Sequence, residues 1–169
     1  MFSIRYFLLR RNTAHIRRTA LVAALMMAFL PSLTAQNYER AVGGRIGTMI
    51  GASYKQFITS TQAIEGIIDL DIIHPNDMSL RATALYEFHR AWPNADGLSW
   101  YLAPGVTAGA LISKNSSFLF AADGVAGLEY KLSEIPLCFA FDLNPKLYLI
   151  GYGYIKFSPN IGVTVRYTF

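Results

Sequence analysis

The chain has one cysteine, Cys138, so no intramolecular disulfide can brace it, whatever the redox state of its compartment. It also lacks an apolar run of the ~20 residues that a membrane-spanning helix needs. The candidate run, Ala20 to Leu30, has only 11 residues. No stretch reads as an amphipathic helix longer than two turns, and no repeat of solenoid length is visible. Metal-ligand spacings, phosphate-binding loops and cofactor motifs are missing too, so no metal site and no cofactor are expected.

Acidic residues are absent from the first 35 positions. That stretch carries Arg5, Arg10, Arg11, Arg17 and Arg18, then the apolar run, a breaker at Pro31 and small residues at Thr34 and Ala35. A basic, then apolar, then small order defines a cleaved, helical secretory signal over 1–35, with the cut expected between Ala35 and Gln36. The residues flanking the arginine pairs do not support a twin-arginine signal, and no cysteine follows the apolar run to make a lipoprotein. Removing the signal leaves 169 − 35 = 134 residues, enough for one domain, 36–169. It also leaves 15 − 5 = 10 basic residues against 11 acidic ones. The formal charge of +4 therefore belongs to the precursor, and the mature chain, near −1, offers no basic surface for nucleic acid.

The remaining chain alternates. In the last ten residues Ile161, Val163, Val165, Tyr167 and Phe169 share one face, and Asn160, Gly162, Thr164, Arg166 and Thr168 share the other. The same split runs through Ile64 to Ile72, Leu80 to Phe88, Phe118 to Leu132 and Leu137 to Leu149. Turn-forming clusters separate these segments at 59–62, 74–79, 93–97, 113–117, 133–136 and 151–159. The segments 40–49, 51–58, 63–73, 80–92, 98–112, 118–132, 137–150 and 160–169 give about eight strands, each near the ~10 residues of a transmembrane strand. Pro104 lies mid-segment, where it removes a ladder donor and predicts a bulge, and Asn144-Pro145 interrupts the seventh segment.

The polar faces decide which side is wet. They carry Arg45, Lys55, Arg81, Lys131, Lys146 and Arg166 with Glu65, Asp69, Asp71, Glu87, Asp123, Glu129 and Asp142. A soluble barrel would put these ions outside and its apolar faces inside. Lipid demands the reverse. Aromatic residues gather towards strand ends, with Phe88, Trp92, Trp100, Tyr130, Tyr167 and Phe169 towards one rim and Phe118, Phe120, Tyr152, Tyr154 and Phe157 towards the other, as interface girdles do. The expected fold is all-β: a closed, antiparallel, up-and-down transmembrane barrel of about eight strands. The turns at 59–62, 93–97 and 133–136 then face the periplasm, and those at 73–79, 113–117 and 151–159 face outward. An eight-stranded lumen is just wide enough for side chains to fill it, so the ions are expected to pair and plug the barrel. Small inward residues, Gly43, Gly47, Ala103, Gly105, Gly109, Ala121 and Gly127, leave room for a narrow water path instead.

The closing Val165-Arg166-Tyr167-Thr168-Phe169 resembles the carboxy-terminal signal read by the outer-membrane barrel assembly machinery, with Val165, Tyr167 and Phe169 as the residues read. Together with Gly51 to Phe57, Glu65-Gly66-Ile67, Leu85 to His89, Trp100-Tyr101-Leu102 and Gly127 to Lys131, it makes the chain similar to small outer-membrane β-barrels of the Bacteroidota type, related in architecture to OmpA/OmpX-like barrels. The resemblance implies a monomer in the cell outer membrane, with lipid and the assembly machinery as partners and no catalytic residues. Two alternatives carry their own residues. A lipid-modifying enzyme would use His74, Asp77 and Ser79 in an outward loop, with His89 beside Glu87 as a weaker candidate base. A soluble, lipocalin-like periplasmic carrier would turn the apolar faces inward.

Overall fold

The structure is a computed structural model that describes residues 38–71, 78–112 and 117–169. All of them belong to one compact unit, Leu33–Phe169. The expected signal over 1–35 lies outside the described residues.

Among the described residues ten strands follow one another: β1 (Arg40–Gly47), β2 (Ile50–Thr59), β3 (Gln62–Asp71), β4 (Ser79–Ala91), β5 (Leu98–Leu111), β6 (Phe118–Lys131), β7 (Leu137–Leu143), β8 (Lys146–Ile150), β9 (Lys156–Ser158) and β10 (Ile161–Thr168). Every pairing is antiparallel. Each of β1 to β6 pairs with the next, β6 continues onto β7 and β8, and β1 closes the sheet against β10. Closure extends to the last residue, because Arg40 and Phe169 exchange backbone hydrogen bonds of 2.9 Å in both directions.

The ten strands make eight staves, since β7 with β8, and β9 with β10, are two staves broken by proline. The seventh stave, expected as one strand over 137–150, is interrupted at Asn144-Pro145, and its neighbour at Pro159-Asn160. Register is unchanged across the break, with Ile161 opposite Leu143 below it and Ser158 opposite Lys146 above it, so Pro145 faces Pro159. Each proline lacks the N–H that the ladder needs. Asparagine takes over: Asn144 N donates to Asn160 O at 2.8 Å, and Asn160 Nδ2 donates to Asn144 O and Ser158 O, both at 3.1 Å. Pro104 behaves differently from expectation. The β4–β5 ladder skips the pairs beside it but keeps one register, from Leu85 opposite Gly105 to Phe88 opposite Leu102, so no bulge forms. A missing donor interrupts hydrogen bonding without inserting the extra residue that a bulge requires.

Period-two alternation sets the radial order. Ile46, Ile68, Leu102, Phe141 and Val163 point outward and are exposed, whereas Lys55, Glu87, Arg166 and Thr107 point inward and are fully buried. That polarity is opposite to what a lipocalin-like carrier needs. One end of the barrel bears the 92–97 turn, the 132–136 turn and Phe169; the other bears the short turn at 48–49 and the 151–155 loop. We call these the carboxy-terminal end and the far end. In the 92–97 turn the left-handed backbone falls on Asn94 (φ 60°) and Gly97 (φ 81°), residue types that tolerate it.

Candidate functional site: the filled lumen

The interior is a stack of polar and apolar layers. Near the carboxy-terminal end, Lys55 on β2 places Nζ 2.7 Å from Glu129 Oε2 and 2.8 Å from Glu87 Oε2. Arg166 on β10 spans the same cluster: Nε donates to Ser53 Oγ at 3.0 Å, Nη1 to Glu129 Oε2 at 3.2 Å, and Nη2 to Glu65 Oε1. His89 Nε2 shares a 2.7 Å hydrogen bond with Glu87 Oε2, and its ring stacks on Tyr101 at 5.0 Å. Lys55 Nζ lies 4.8 Å from the centre of the Tyr101 ring.

A fork of two hydrogen bonds comes next. Arg45 on β1 donates through Nη1 and Nη2 to the two carboxylate oxygens of Asp142, at 2.6 and 2.5 Å. Paired forks of this kind hold a buried guanidinium in one orientation. Ile67, Leu85, Ala103 and Val125 form an apolar layer with Tyr101. Beyond it, Lys146 Nζ donates to Thr107 Oγ1 at 2.7 Å and Thr83 Oγ1 at 3.1 Å and sits 3.2 Å from Asp123 Oδ2. Arg81 lies 3.2 Å from Asp69 Oδ1 and 3.1 Å from Asp71 Oδ2, and its Nη1 donates to the Tyr148 hydroxyl. Leu111, Leu119, Ala121 and Tyr148, with Tyr152 against them, form a second apolar cluster towards the far end.

Nearly every inward ion named from the sequence thus contacts an opposite charge. The physical reason is cost, because an isolated buried ion loses several kcal/mol of hydration that only a hydrogen-bonded partner offsets. Lys131 departs from the set. It is half-buried at the carboxy-terminal rim and donates to the carbonyl oxygens of Leu132 and Ile135, at 2.6 and 2.9 Å, so it braces a turn. Of the small inward residues, Gly127 is not open space. A side chain on Gly127 would collide with the Tyr101 ring, and one on Gly162 would collide with the Arg45 guanidinium. Small residues here are the sockets of large neighbours.

Of the alternative catalytic set, His74 and Asp77 lie outside the described residues. Ser79 is fully buried at the start of β4 with its hydroxyl inside the barrel, and so does not belong to an exposed outward loop. His89 is fully buried between Phe57 and Tyr101, its ring centre 4.9 and 5.0 Å from theirs. Val165, Tyr167 and Phe169 point outward, the first two on β10 opposite Gly44 and Val42 of β1.

Sequence reasoning missed Tyr38. It precedes β1, turns into the carboxy-terminal mouth, donates its hydroxyl to Glu129 Oε1 at 2.8 Å and sets its ring edge-on to Phe57 at 5.1 Å. Burial, reinforced by the Glu129 carboxylate, pushes its phenol well above the ordinary range. No alternation marks a residue outside the strands, so nothing in the pattern could have found it.

These features define the chain as an eight-stranded, antiparallel β-barrel of OmpA/OmpX-like architecture. Among solved structures it is similar to the N-terminal β-barrel domain of Pseudomonas aeruginosa OprF, with 18% identity, a TM-score of 0.57, and coverage of 78% of this chain and 98% of that one. At that identity the likeness establishes the fold. No protein-family model matches the sequence, and no curated protein does.

Proposed function

We propose that the mature chain, 36–169, is an integral outer-membrane β-barrel, monomeric and non-enzymatic, exported by a cleaved signal over 1–35. Its role is structural, and its lumen is plugged by its own side chains. One observation carries this reading: the outer wall presents Ile46, Ile68, Leu102, Phe141 and Val163, while Lys55, Glu65, Glu87 and Arg166 are 0–1% exposed within. A membrane admits spanning strands only in a closed sheet, and lipid reverses the radial polarity of a soluble barrel. Outer-membrane lipid is the expected permanent partner. The assembly machinery is the transient one, reading Val165, Tyr167 and Phe169 before β1 covers the edge of β10.

Two measurements test this together. The protein should co-purify with outer membranes and run faster on gels when unheated than when boiled, as a detergent-resistant barrel does. Recovery in an osmotic-shock fraction without detergent would overturn the location. In planar bilayers it should stay closed; steady conductance in the porin range would overturn the plug.

A further inference from the structure

We propose that Tyr38 is a removable seal over the carboxy-terminal mouth of the lumen, and that displacing it opens a shallow, polar vestibule reaching Glu129 and Cys138. The inference rests on the plugged-lumen reading and adds a position at which the plug can be breached. Three observations support it. The ring stands on the edge of Phe57, which itself packs on His89, so Tyr38 is the outermost member of an aromatic stack that descends into the lumen. Its hydroxyl donates to Glu129, the carboxylate that also holds Lys55 and Arg166. Cys138 is fully buried on β7 directly opposite Arg166 of β10, the residue that binds Glu129, and so belongs to the same cluster.

Tyr38 is held differently from the residues beneath it. Lys55, Glu65, Glu87 and Arg166 are strand residues whose backbones are fixed by ladders on both sides. Tyr38 precedes the first strand; the neighbouring Glu39 O accepts from Phe57 N at 2.9 Å, while the Tyr38 side chain is placed by its ring packing and its hydroxyl. It can leave without breaking the barrel. The cluster it covers has two cations, Lys55 and Arg166, and three carboxylates, Glu65, Glu87 and Glu129, with Lys131 at the rim opposite Cys138, so the uncovered vestibule is polar and its charges are balanced. The apolar layer of Ile67, Leu85, Ala103 and Val125 lies deeper in the lumen.

Cys138, the chain's one cysteine, serves as the probe. Its thiolate attacks a methanethiosulfonate reagent, forming a mixed disulfide and releasing methanesulfinate. The folded full-length mature protein in detergent micelles should resist the trimethylammonium-ethyl reagent. Tyr38→Ala should react at least tenfold faster. Tyr38→Phe, which keeps the ring and loses the hydroxyl, should fall between. Gel migration of each unheated sample confirms a folded barrel. Equal reactivity of the wild-type and Tyr38→Ala proteins would overturn the seal. A porin-like conductance of the wild-type protein would instead defeat the plugged-lumen reading, and the two failures are separable because one is read from labelling and the other from current.

Discussion

Arg166 and Glu65 lie 101 residues apart in sequence and meet across the lumen, the guanidinium of β10 against the carboxylate of β3 with β1 and β2 between them. The contact ties the last stave to the third, and through Glu129 and Lys55 it reaches the second and sixth. Stability of the carboxy-terminal half should therefore depend on one side chain.

Replacing Arg166 by methionine leaves Glu65 and Glu129 buried beside Lys55 alone. Breaking a buried pair from one side costs about 3–5 kcal/mol, because the stranded charge keeps its desolvation penalty. Urea unfolding from micelles should show a loss of that order. Adding Glu65→Gln to Arg166→Met should recover part of it, since the pair is then removed from both sides. A single substitution costing under about 1 kcal/mol would mean that water reaches the cluster and that the lumen is wetter than its geometry implies.

The Arg45–Asp142 fork is the second handle. Arg45→Ala and Asp142→Ala should each destabilise by about 3–5 kcal/mol and should be far from additive, with the double variant close to either single one. Simple additivity in the double-mutant cycle would show that the two act through different partners.

Tyr101 and Gly127 give a packing test of the same interior. Tyr101→Ala should cost about 3–5 kcal/mol by opening a cavity between the ion cluster and the apolar layer, and Gly127→Val about 1–3 kcal/mol by pushing against the ring. Combined, the valine fills space that the alanine vacated, so the double variant should be less damaged than the sum. An exact sum would place the two residues out of contact.

How much of this was legible in the sequence follows from what a period of two encodes. Alternation assigns a radial direction to each residue, so Lys55, Glu65 and Arg166 could be placed inside, and Val163 and Phe141 outside, with no structure. It says nothing about which inward groups meet, because that depends on stagger around the wall; the pairing of Arg45 with Asp142 rather than with Glu65 or Asp69 is a property of the closed barrel. Glycine positions misled for a related reason. Gly127 reads as empty space along its own strand, yet Tyr101 on the neighbouring strand fills it. The break at Pro145 was visible, but its alignment with Pro159 required the register. Pro104 showed the opposite limit, a residue that predicts a bulge from its chemistry alone and in place only silences part of a ladder.

Radial polarity can be tested from the outside. Arginine at Val163, in the middle of the outer wall, should cost about 2–4 kcal/mol of folding free energy in lipid, whereas arginine at Phe118, near the far rim, should cost about 0–1 kcal/mol beyond the lost ring packing. Refolding titrations into vesicles would read the difference. Indifference of both positions to charge would remove the bilayer from the account.

Tyr38 supplies a pH signature. Its phenol is held above the ordinary value by burial and by Glu129, so the folded state favours the neutral form. A raised pKa contributes stability that is complete below the unfolded value of about 10 and is lost as pH climbs from there toward the folded value. Between about pH 8 and 9 the stability difference between the wild-type protein and Tyr38→Phe should be flat, because neither state ionises at this position. Above about pH 10 the unfolded wild-type chain releases the Tyr38 proton and the folded one does not, and the difference should fall by up to about 1.4 kcal/mol per pH unit. The remaining tyrosines are common to both proteins and cancel in the comparison. A difference that stays flat to the alkaline limit of barrel stability would show that Tyr38 ionises as freely in the folded protein as in the unfolded chain, and that its hydroxyl is not enclosed by the mouth.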